Sequence, residues 1–128
     1  MYIMSFDYGK KRIGIAIGQN ITATASPLEI VTTKNNKINW SRIDFLIKEW
    51  QPNQFVIGLP KYADGSDNPV TIAVKSFIKK LSARYQLPVH TIDETLSSVA
   101  AAERTKSNEL LDAVAAQIIL ETWFSECP

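Results

Sequence analysis

The stretch "MSFDYGKKRIGIAIG", residues 4–18, holds two apolar runs separated by a short polar turn. Asp7 ends the first run, and a glycine and three cations lie between it and the second run. This pattern predicts a β-hairpin with its turn at Gly9 to Lys11. A carboxylate among buried strands costs free energy unless a partner compensates for it, so Asp7 is the first candidate functional residue. Its ordinary alternative is a residue that starts the turn, where aspartate is common.

The rest of the chain alternates between strand and helix patterns. "TATASPLEIV" predicts a third strand, bent or interrupted at Pro27. Apolar residues at helical spacing predict a helix from Trp40 to Trp50 after an Asn39 cap. The elements predicted after it are the buried strand "QFVIGLP", a helix that starts at Asn68 and Pro69 with Val70 on its apolar face, the strand "LPVHTID", and two helical pieces, one over residues 98–104 and one from Ser107 or Asn108 toward Phe124. The order β-β-β-α-β-α-β-α predicts an α/β domain over residues 1–128, with a mixed five-stranded sheet and helices on its faces.

Composition narrows the class of protein. A length of 128 residues suits one domain, and 45% apolar residues are enough for a core. The formal net charge is +1, so nucleic-acid binding would have to come from local patches. The single cysteine, Cys127, excludes an intrachain disulfide and a cysteine-based metal site, and suggests a reducing compartment. Without a signal-peptide pattern or an apolar run of about 20 residues, we expect a cytoplasmic protein with no membrane partner.

Acidic residues follow the strands that are expected to be parallel. Sites in open α/β sheets form at the carboxyl ends of such strands. Asp7 ends the first, Gly58 to Pro60 end the fourth, and Asp93 and Glu94 end the fifth. Asp112 lies in "LLDAVAAQIIL", a helix apolar enough to pack over the sheet. Three acids are therefore expected in one crevice, although Glu94 also fits an exposed loop and Asp112 an ordinary surface position.

Clustered carboxylates predict a metal site. Their pKa values rise when they are brought together, unless a cation joins them. Oxygen ligands without a Cys/His set suit Mg²⁺ or Mn²⁺ rather than zinc. Such a cluster is a common basis for one- or two-metal phosphodiester hydrolysis, with Asp7, Glu94 and Asp112 as the catalytic and metal-binding residues.

Basic residues flank the predicted acid cluster. Lys10, Lys11 and Arg12 are placed to hold phosphate oxygens of a nucleic-acid backbone. A second basic group, consisting of Lys75, Lys79 and Lys80, lies on one helix face that is expected to be solvated. His90, inside the fifth strand, is expected to be a packed or partly exposed strand residue rather than a catalyst.

Five blocks of the sequence resemble the YqgF/RuvX family. They are "DYGKKRIGIAIG", "ATASPLEIV", "VIGLPKYADGSDNP", "IDETLSS" and "LLDAVAAQIILETWF", in the family's order and over nearly the whole chain. Members are described as Holliday-junction-resolvase-like proteins, or as nucleases that mature the precursor of 16S ribosomal RNA. The resemblance implies an RNase H-like fold, a nuclease, and structured RNA as the partner, with branched DNA as the other substrate considered.

The resemblance carries over to particular positions. It matches Asp7 to the family's first-strand acid, Glu94 to the acid of a "DERLTT"-type motif, and Asp112 to the acid of the last helix. The run from Lys10 to Arg12 matches the basic turn. Gly58 to Pro60 with Asp64-Gly65 match a "GLP…DG" block as well, and Lys61, which lies inside this block directly after Pro60, joins the predicted substrate-binding residues.

Three features depart from the family pattern. Thr95 stands where an arginine is usual, and Ala100 stands where a glutamate would complete a capping box. The segment over residues 103–108 is also shorter and less basic. These departures bear on substrate handling more than on metal binding.

The leading hypothesis is a metal-dependent endonuclease that processes pre-16S ribosomal RNA in ribosome biogenesis. The alternative is a catalytically weak RNA- or ribosome-associated binding protein of the same fold. A lesser alternative is an actin-like phosphotransfer module, because "D-x-G-x-x-x-x-G" also opens such domains; those need two halves, and this chain has length for one. The sequence leaves open RNA against DNA, one metal against two, and monomer against homodimer.

Overall fold

A computed structural model describes residues 1–9, 11–34, 37–61, 64, 66–95 and 109–126, with the backbone alone described at residues 61, 94, 95 and 109–112. The described strands are β1 Tyr2–Tyr8, β2 Arg12–Gln19, β3 Thr24–Lys34, β4 Lys37–Ile38, β5 Gln54–Lys61 and β6 Val89–Thr95. The described helices are α1 Trp40–Trp50, α2 Pro69–Tyr85 and α3 Glu109–Glu126. Within these residues no helix is long and apolar enough to cross a membrane.

The strands form one mixed sheet in the order β4-β3-β2-β1-β5-β6. β1, β5 and β6 are parallel, and β2, β3 and β4 each pair antiparallel with the preceding strand. Phe6 pairs with Ile57, which in turn pairs with Thr91, so the three parallel strands share one register. The predicted hairpin and mixed sheet are thus confirmed.

The prediction of five strands was wrong by one. The additional strand is β4, in which Lys37 pairs with Lys34 and Ile38 pairs with Thr33. A strand of two residues carries too short a pattern to be recognised by its alternation.

Large and small residues alternate along β2, so its two faces pack against different layers of helices. Ile13, Ile15 and Ile17 pack into the core formed with α1 and α2. The residues between them are small, and they lie on the opposite face, beneath α3. At Gly18 an added Cβ would lie 2.4 Å from the Thr24 carbonyl oxygen and 2.8 Å from Leu120 Cδ2. Small residues on this face therefore let α3 approach the sheet.

Pro27 coincides with a register shift between β2 and β3. Glu29 pairs with Ile15 and Pro27 pairs with Ala16, which leaves Leu28 as an additional residue. β3 is continuous across this bulge, in agreement with the predicted bend.

The helix caps follow the sequence. The Asn39 side chain accepts a hydrogen bond from the Arg42 backbone N–H at the start of α1. Asn68 and Thr71 form a capping box at the start of α2, with Pro69 as its first residue. One detail of α2 was wrong: Val70, predicted on the apolar face, is exposed. The cap orients Thr71 inward instead.

The described part of α3 is Glu109–Glu126, and the cap predicted at Ser107 or Asn108 lies outside the described residues. α3 buries a stripe of small and aliphatic residues, namely Ala113, Ala115, Ala116, Ile119 and Leu120. The helical piece predicted over residues 98–104 lies outside the described residues, as does Cys127.

Candidate active site

Asp7 lies at the carboxyl end of β1, on the face of the sheet that packs against α3. It alternates with Ile3 and Ser5, which are both fully buried on that face. The Asp7 side chain is half-buried. Its position is therefore the one predicted for the first acid, at the edge of the core rather than in open solvent.

Glycines flank Asp7 on both neighbouring strands. Gly14 of β2 pairs directly with Asp7. On β5, the residue after the Phe6–Ile57 pair is Gly58, which puts Gly58 level with Asp7. Both glycines are buried. At these two paired positions, neither adjacent strand places a side chain beside Asp7.

The backbone of Glu94 lies on the same side of the sheet as Asp7. Along β6, Ile92 packs in the core beneath α3 and His90 contacts Trp123 of α3, and residue 94 continues that row. Glu94 pairs with Pro60, two residues beyond the level of Asp7. Strand spacing and rise then separate residues 7 and 94 by about 10 Å across the sheet and about 7 Å along it.

The path of α3 brings residue 112 toward the same end of the sheet. Ser5 Oγ donates a hydrogen bond of 2.7 Å to the Ala116 carbonyl oxygen. The carboxyl end of α3 lies at the opposite end of the sheet, because Trp123 contacts His90 near the start of β6. Asp112 precedes Ala116 by about 6 Å of helix, and Asp7 follows Ser5 by about 7 Å of strand.

The three predicted acids therefore occupy converging backbone positions. The side chains of Glu94 and Asp112 lie outside the described residues, so their role as metal ligands stays a prediction. Among the side chains that are described, no group of three His, Cys, Asp or Glu residues lies close enough to hold a metal ion.

The basic turn is fixed next to Asp7 by the backbone. The Lys11 carbonyl oxygen accepts a hydrogen bond of 2.9 Å from the Thr33 N–H, and Arg12 pairs with Thr32. A Cβ at Gly9 would lie 2.9 Å from the Arg12 carbonyl oxygen, so the turn needs a glycine there. Lys11 is exposed and Arg12 is half-buried, whereas Lys10 lies outside the described residues.

Thr71 is a supporting residue that the sequence analysis missed. Its hydroxyl donates to the Pro60 carbonyl oxygen and accepts from the Asn68 N–H at 3.0 Å. The start of α2 is thereby joined to the end of β5, where Pro60 pairs with Glu94. The sequence signal that pointed to Thr71 was its spacing from Asn68, which is typical of a helix N-terminal capping box. Lys61, the last residue of β5, pairs with Thr95, and its side chain is not among those described.

Other polar residues named in the sequence analysis have structural roles. Asp64 accepts hydrogen bonds from the Ser66 hydroxyl at 2.6 Å and the Ser66 N–H at 2.9 Å, and these bonds lower the pKa of Asp64. His90 is exposed, its Nε2 lies 2.8 Å from Gln54 Oε1, and its ring contacts Trp123 at the far end of β6 from Glu94. Lys75 forms an ion pair of 2.7 Å with Asp67.

Solved structures with the same architecture define the class of fold. The chain is similar to T. thermophilus RuvC in complex with a Holliday junction substrate, with a TM-score of 0.58 and 12% identity over 98% of this chain and 94% of that one. It is also similar to the fowlpox virus Holliday junction resolvase, with a TM-score of 0.56 and 20% identity over 98% and 99% of the two chains. The protein therefore has the RNase H-like fold of the resolvases.

Sequence comparison then gives the family. The family model described as "RuvX: Holliday junction resolvase" matches residues 1–126, and the chain belongs to this family. A protein of Hydrogenovibrio crunogenus is 48% identical over 122 residues, covering 94% of this chain and 91% of the relative. One of Ralstonia nicotianae is 41% identical over 124 residues, covering 97% and 86%. Both carry the name "Putative pre-16S rRNA nuclease", which classes the chain as a nuclease and confirms the resemblance.

Proposed function

We propose that the protein is a metal-dependent endonuclease that cleaves precursor 16S ribosomal RNA in the cytoplasm. The observation that carries the proposal is the convergence of residues 7, 94 and 112 at the carboxyl end of the parallel strands, beside the basic turn. The names of the relatives support the choice of ribosomal RNA over branched DNA.

The residues present suit Mg²⁺ or Mn²⁺. All three candidate ligands are carboxylates, the ligand type that these cations prefer. Gly14 and Gly58 leave room next to Asp7 that a Cβ on either strand would reduce. Asp7, Glu94 and Asp112 would hold the ion. When bound, it supplies a more acidic water and neutralises charge on the leaving oxygen.

The chain's own residues bind and orient the substrate. Lys11 and Arg12 lie at the same end of the sheet as Asp7, where they contact phosphate oxygens next to the scissile bond. The hydrogen bond from Thr71 to Pro60 holds the end of β5 in register with Glu94. α3 covers this face of the sheet and keeps bulk water from the buried side of Asp7.

The test is cleavage of a pre-16S RNA fragment and of a four-way DNA junction, with Mg²⁺ or Mn²⁺. We expect Asp7→Asn to cleave at least about 100-fold more slowly than the unsubstituted protein, because loss of a ligand exceeds the usual effect of losing its supporting residues. Asp93→Asn is the matched control, since Asp93 lies on the same strand as Glu94 but on the opposite face. Equal cleavage by Asp7→Asn and the unsubstituted protein would exclude the assignment.

The second candidate function is RNA binding with little catalysis. The departures at Thr95 and Ala100 favour it, and Thr95 pairs with Lys61 at the very end of β6. It predicts that RNA binding persists without cleavage in every divalent metal. Cleavage that depends on Asp7 would exclude it.

A further inference from the structure

Two lysines are paired across the β3–β4 hairpin. Lys34 and Lys37 are direct partners in this antiparallel pair, and both are exposed. Like charges directly opposite each other destabilise a hairpin. Neither lysine forms an ion pair within the part of the chain that the structure describes. The sequence from residue 30 to residue 43 contains no acidic residue to neutralise them.

The paired lysines lie on the same face of the sheet as Asp7. Beyond the bulge, Ile13 pairs with Val31 and both are buried on the side of α1 and α2. Arg12 and Thr32, one residue away on each strand, therefore lie on the α3 side, and Lys34 follows Thr32 in the same row. Lys37, as the direct partner of Lys34, shares that face.

The spacing suits a nucleic-acid backbone. Asp7 pairs with Gly14, which pairs with Ile30. Lys34 therefore lies two strands away from Asp7 and four residues beyond Ile30 along β3. These steps correspond to roughly 10 Å and 13 Å, or about 16 Å in total. In B-form DNA, with one base pair per 3.4 Å, the distance corresponds to about five base pairs. Arg12 lies between the two positions, so the cations form a continuous path.

We infer that Lys34 and Lys37 form a second phosphate-binding contact, which holds a duplex arm of the substrate about 16 Å from the scissile bond. A phosphate between the two ammonium groups removes their repulsion and explains why the hairpin carries them in opposition. The inference rests on the proposed function, since it takes the Asp7 end of the sheet as the place of cleavage. The inference adds an extended path for the sugar–phosphate backbone of the substrate, with no contact to the bases.

The test is the salt dependence of binding, measured by fluorescence anisotropy in EDTA so that no cleavage occurs. The probes are an RNA stem-loop and an immobile four-way DNA junction. For the double variant K34Q/K37Q we expect affinity to fall roughly 10- to 60-fold at 0.1 M salt, with a slope of log K against log salt that is less negative by about 1.8. The matched control K79Q/K80Q removes two exposed lysines from α2 and should bind like the unsubstituted protein.

A single variant separates binding from folding. Lys37→Glu places opposite charges across the hairpin, so its melting temperature should equal or exceed that of the unsubstituted protein while binding weakens. An unchanged slope in K34Q/K37Q, or unchanged affinity in Lys37→Glu, would overturn the inference. If the unsubstituted protein binds neither probe, the proposed function itself fails; if it binds both and only the lysine variants have no effect, the failure is confined to this contact.

Discussion

The hydroxyl of Ser5 and the carbonyl of Ala116 join the first strand to the last described helix. Ser5 Oγ donates to this oxygen at 2.7 Å, and both residues are fully buried. The two residues are 111 positions apart in the sequence. Their contact lies two residues before Asp7 along β1. The hydrogen bond therefore fixes the position of α3 along β1, and with it the position of residue 112 relative to residue 7.

Replacing Ser5 with alanine should weaken both the fold and the site. The loss of one buried hydrogen bond lowers the free energy of unfolding by about 1 kcal/mol. Cleavage should fall further than this loss of stability explains, because α3 is then free to shift along β1. Chemical denaturation and the cleavage rate, measured well below the melting temperature, test the two effects separately.

Thr22→Ala is the control for Ser5→Ala. The Thr22 hydroxyl also makes a hydrogen bond of 2.7 Å, but to exposed Thr24 at the other end of the sheet. We expect it to leave cleavage unchanged. Full activity in Ser5→Ala would mean that α3 is held in place by its apolar contacts alone.

Thr71 gives a second prediction, because its hydroxyl links α2 to β5. Thr71→Val keeps the side-chain volume but removes the donor to Pro60 and the acceptor for the Asn68 N–H. We expect a loss of about 2 kcal/mol in the free energy of unfolding, since both partners are buried. Thr71→Ser keeps the hydroxyl and should retain most of the stability and activity. Equal melting temperatures for the two variants would contradict this reading.

The local features of this fold could be predicted from the sequence. The caps at Asn39 and Asn68, the hairpin at Gly9 and the bend at Pro27 each depend on a few neighbouring residues. The rule that sites form at the carboxyl ends of parallel strands was enough to bring Asp7 and Glu94 to one end of the sheet.

The remaining features depend on contacts between distant segments. β4 was missed because two residues carry almost no periodicity, and its identity depends on pairing with β3. The role of Thr71 was missed because its partner, Pro60, belongs to another element. That Gly58 lies beside Asp7 follows from the register of β1 and β5, which is set by packing rather than by any local pattern.

Gly58 gives a third prediction, in which a substitution lowers activity but leaves stability almost unchanged. Gly58→Ala puts a methyl group beside Asp7, on the face where the candidate acids converge. Alanine orders a strand more readily than glycine, so the melting temperature should change little, whereas cleavage should fall about 10-fold or more. Gly18→Ala is the reverse control: its Cβ would lie 2.4 Å from the Thr24 carbonyl oxygen, far from Asp7, so it should lower the melting temperature. If Gly58→Ala cleaves normally, the space beside Asp7 is not used by a cation or by substrate.

The contact between α1 and α2 gives the last prediction, which concerns alkaline pH. The Tyr85 hydroxyl donates to Asp44, which also forms an ion pair of 3.1 Å with Arg84. Burial, followed by the hydrogen bond to Asp44, raises the pKa of Tyr85 from 10.0 to about 12. The folded state thus favours the neutral phenol, and its stabilising effect is complete below pH 10. It is lost as the pH rises toward 12, because the phenol ionises in the unfolded chain first.

Tyr85→Phe isolates this effect. The variant lacks the titrating group, so its free energy of unfolding should fall less steeply between pH 10 and pH 12 than that of the unsubstituted protein. Urea denaturation at a series of alkaline pH values measures the two slopes, and the tyrosinate absorbance follows the ionisation directly. Below pH 9 the variant should be the less stable of the two, because it has lost the hydrogen bond to Asp44. Parallel pH profiles for the two proteins would show that Tyr85 ionises equally readily in both states, which its partial burial between the two helices argues against.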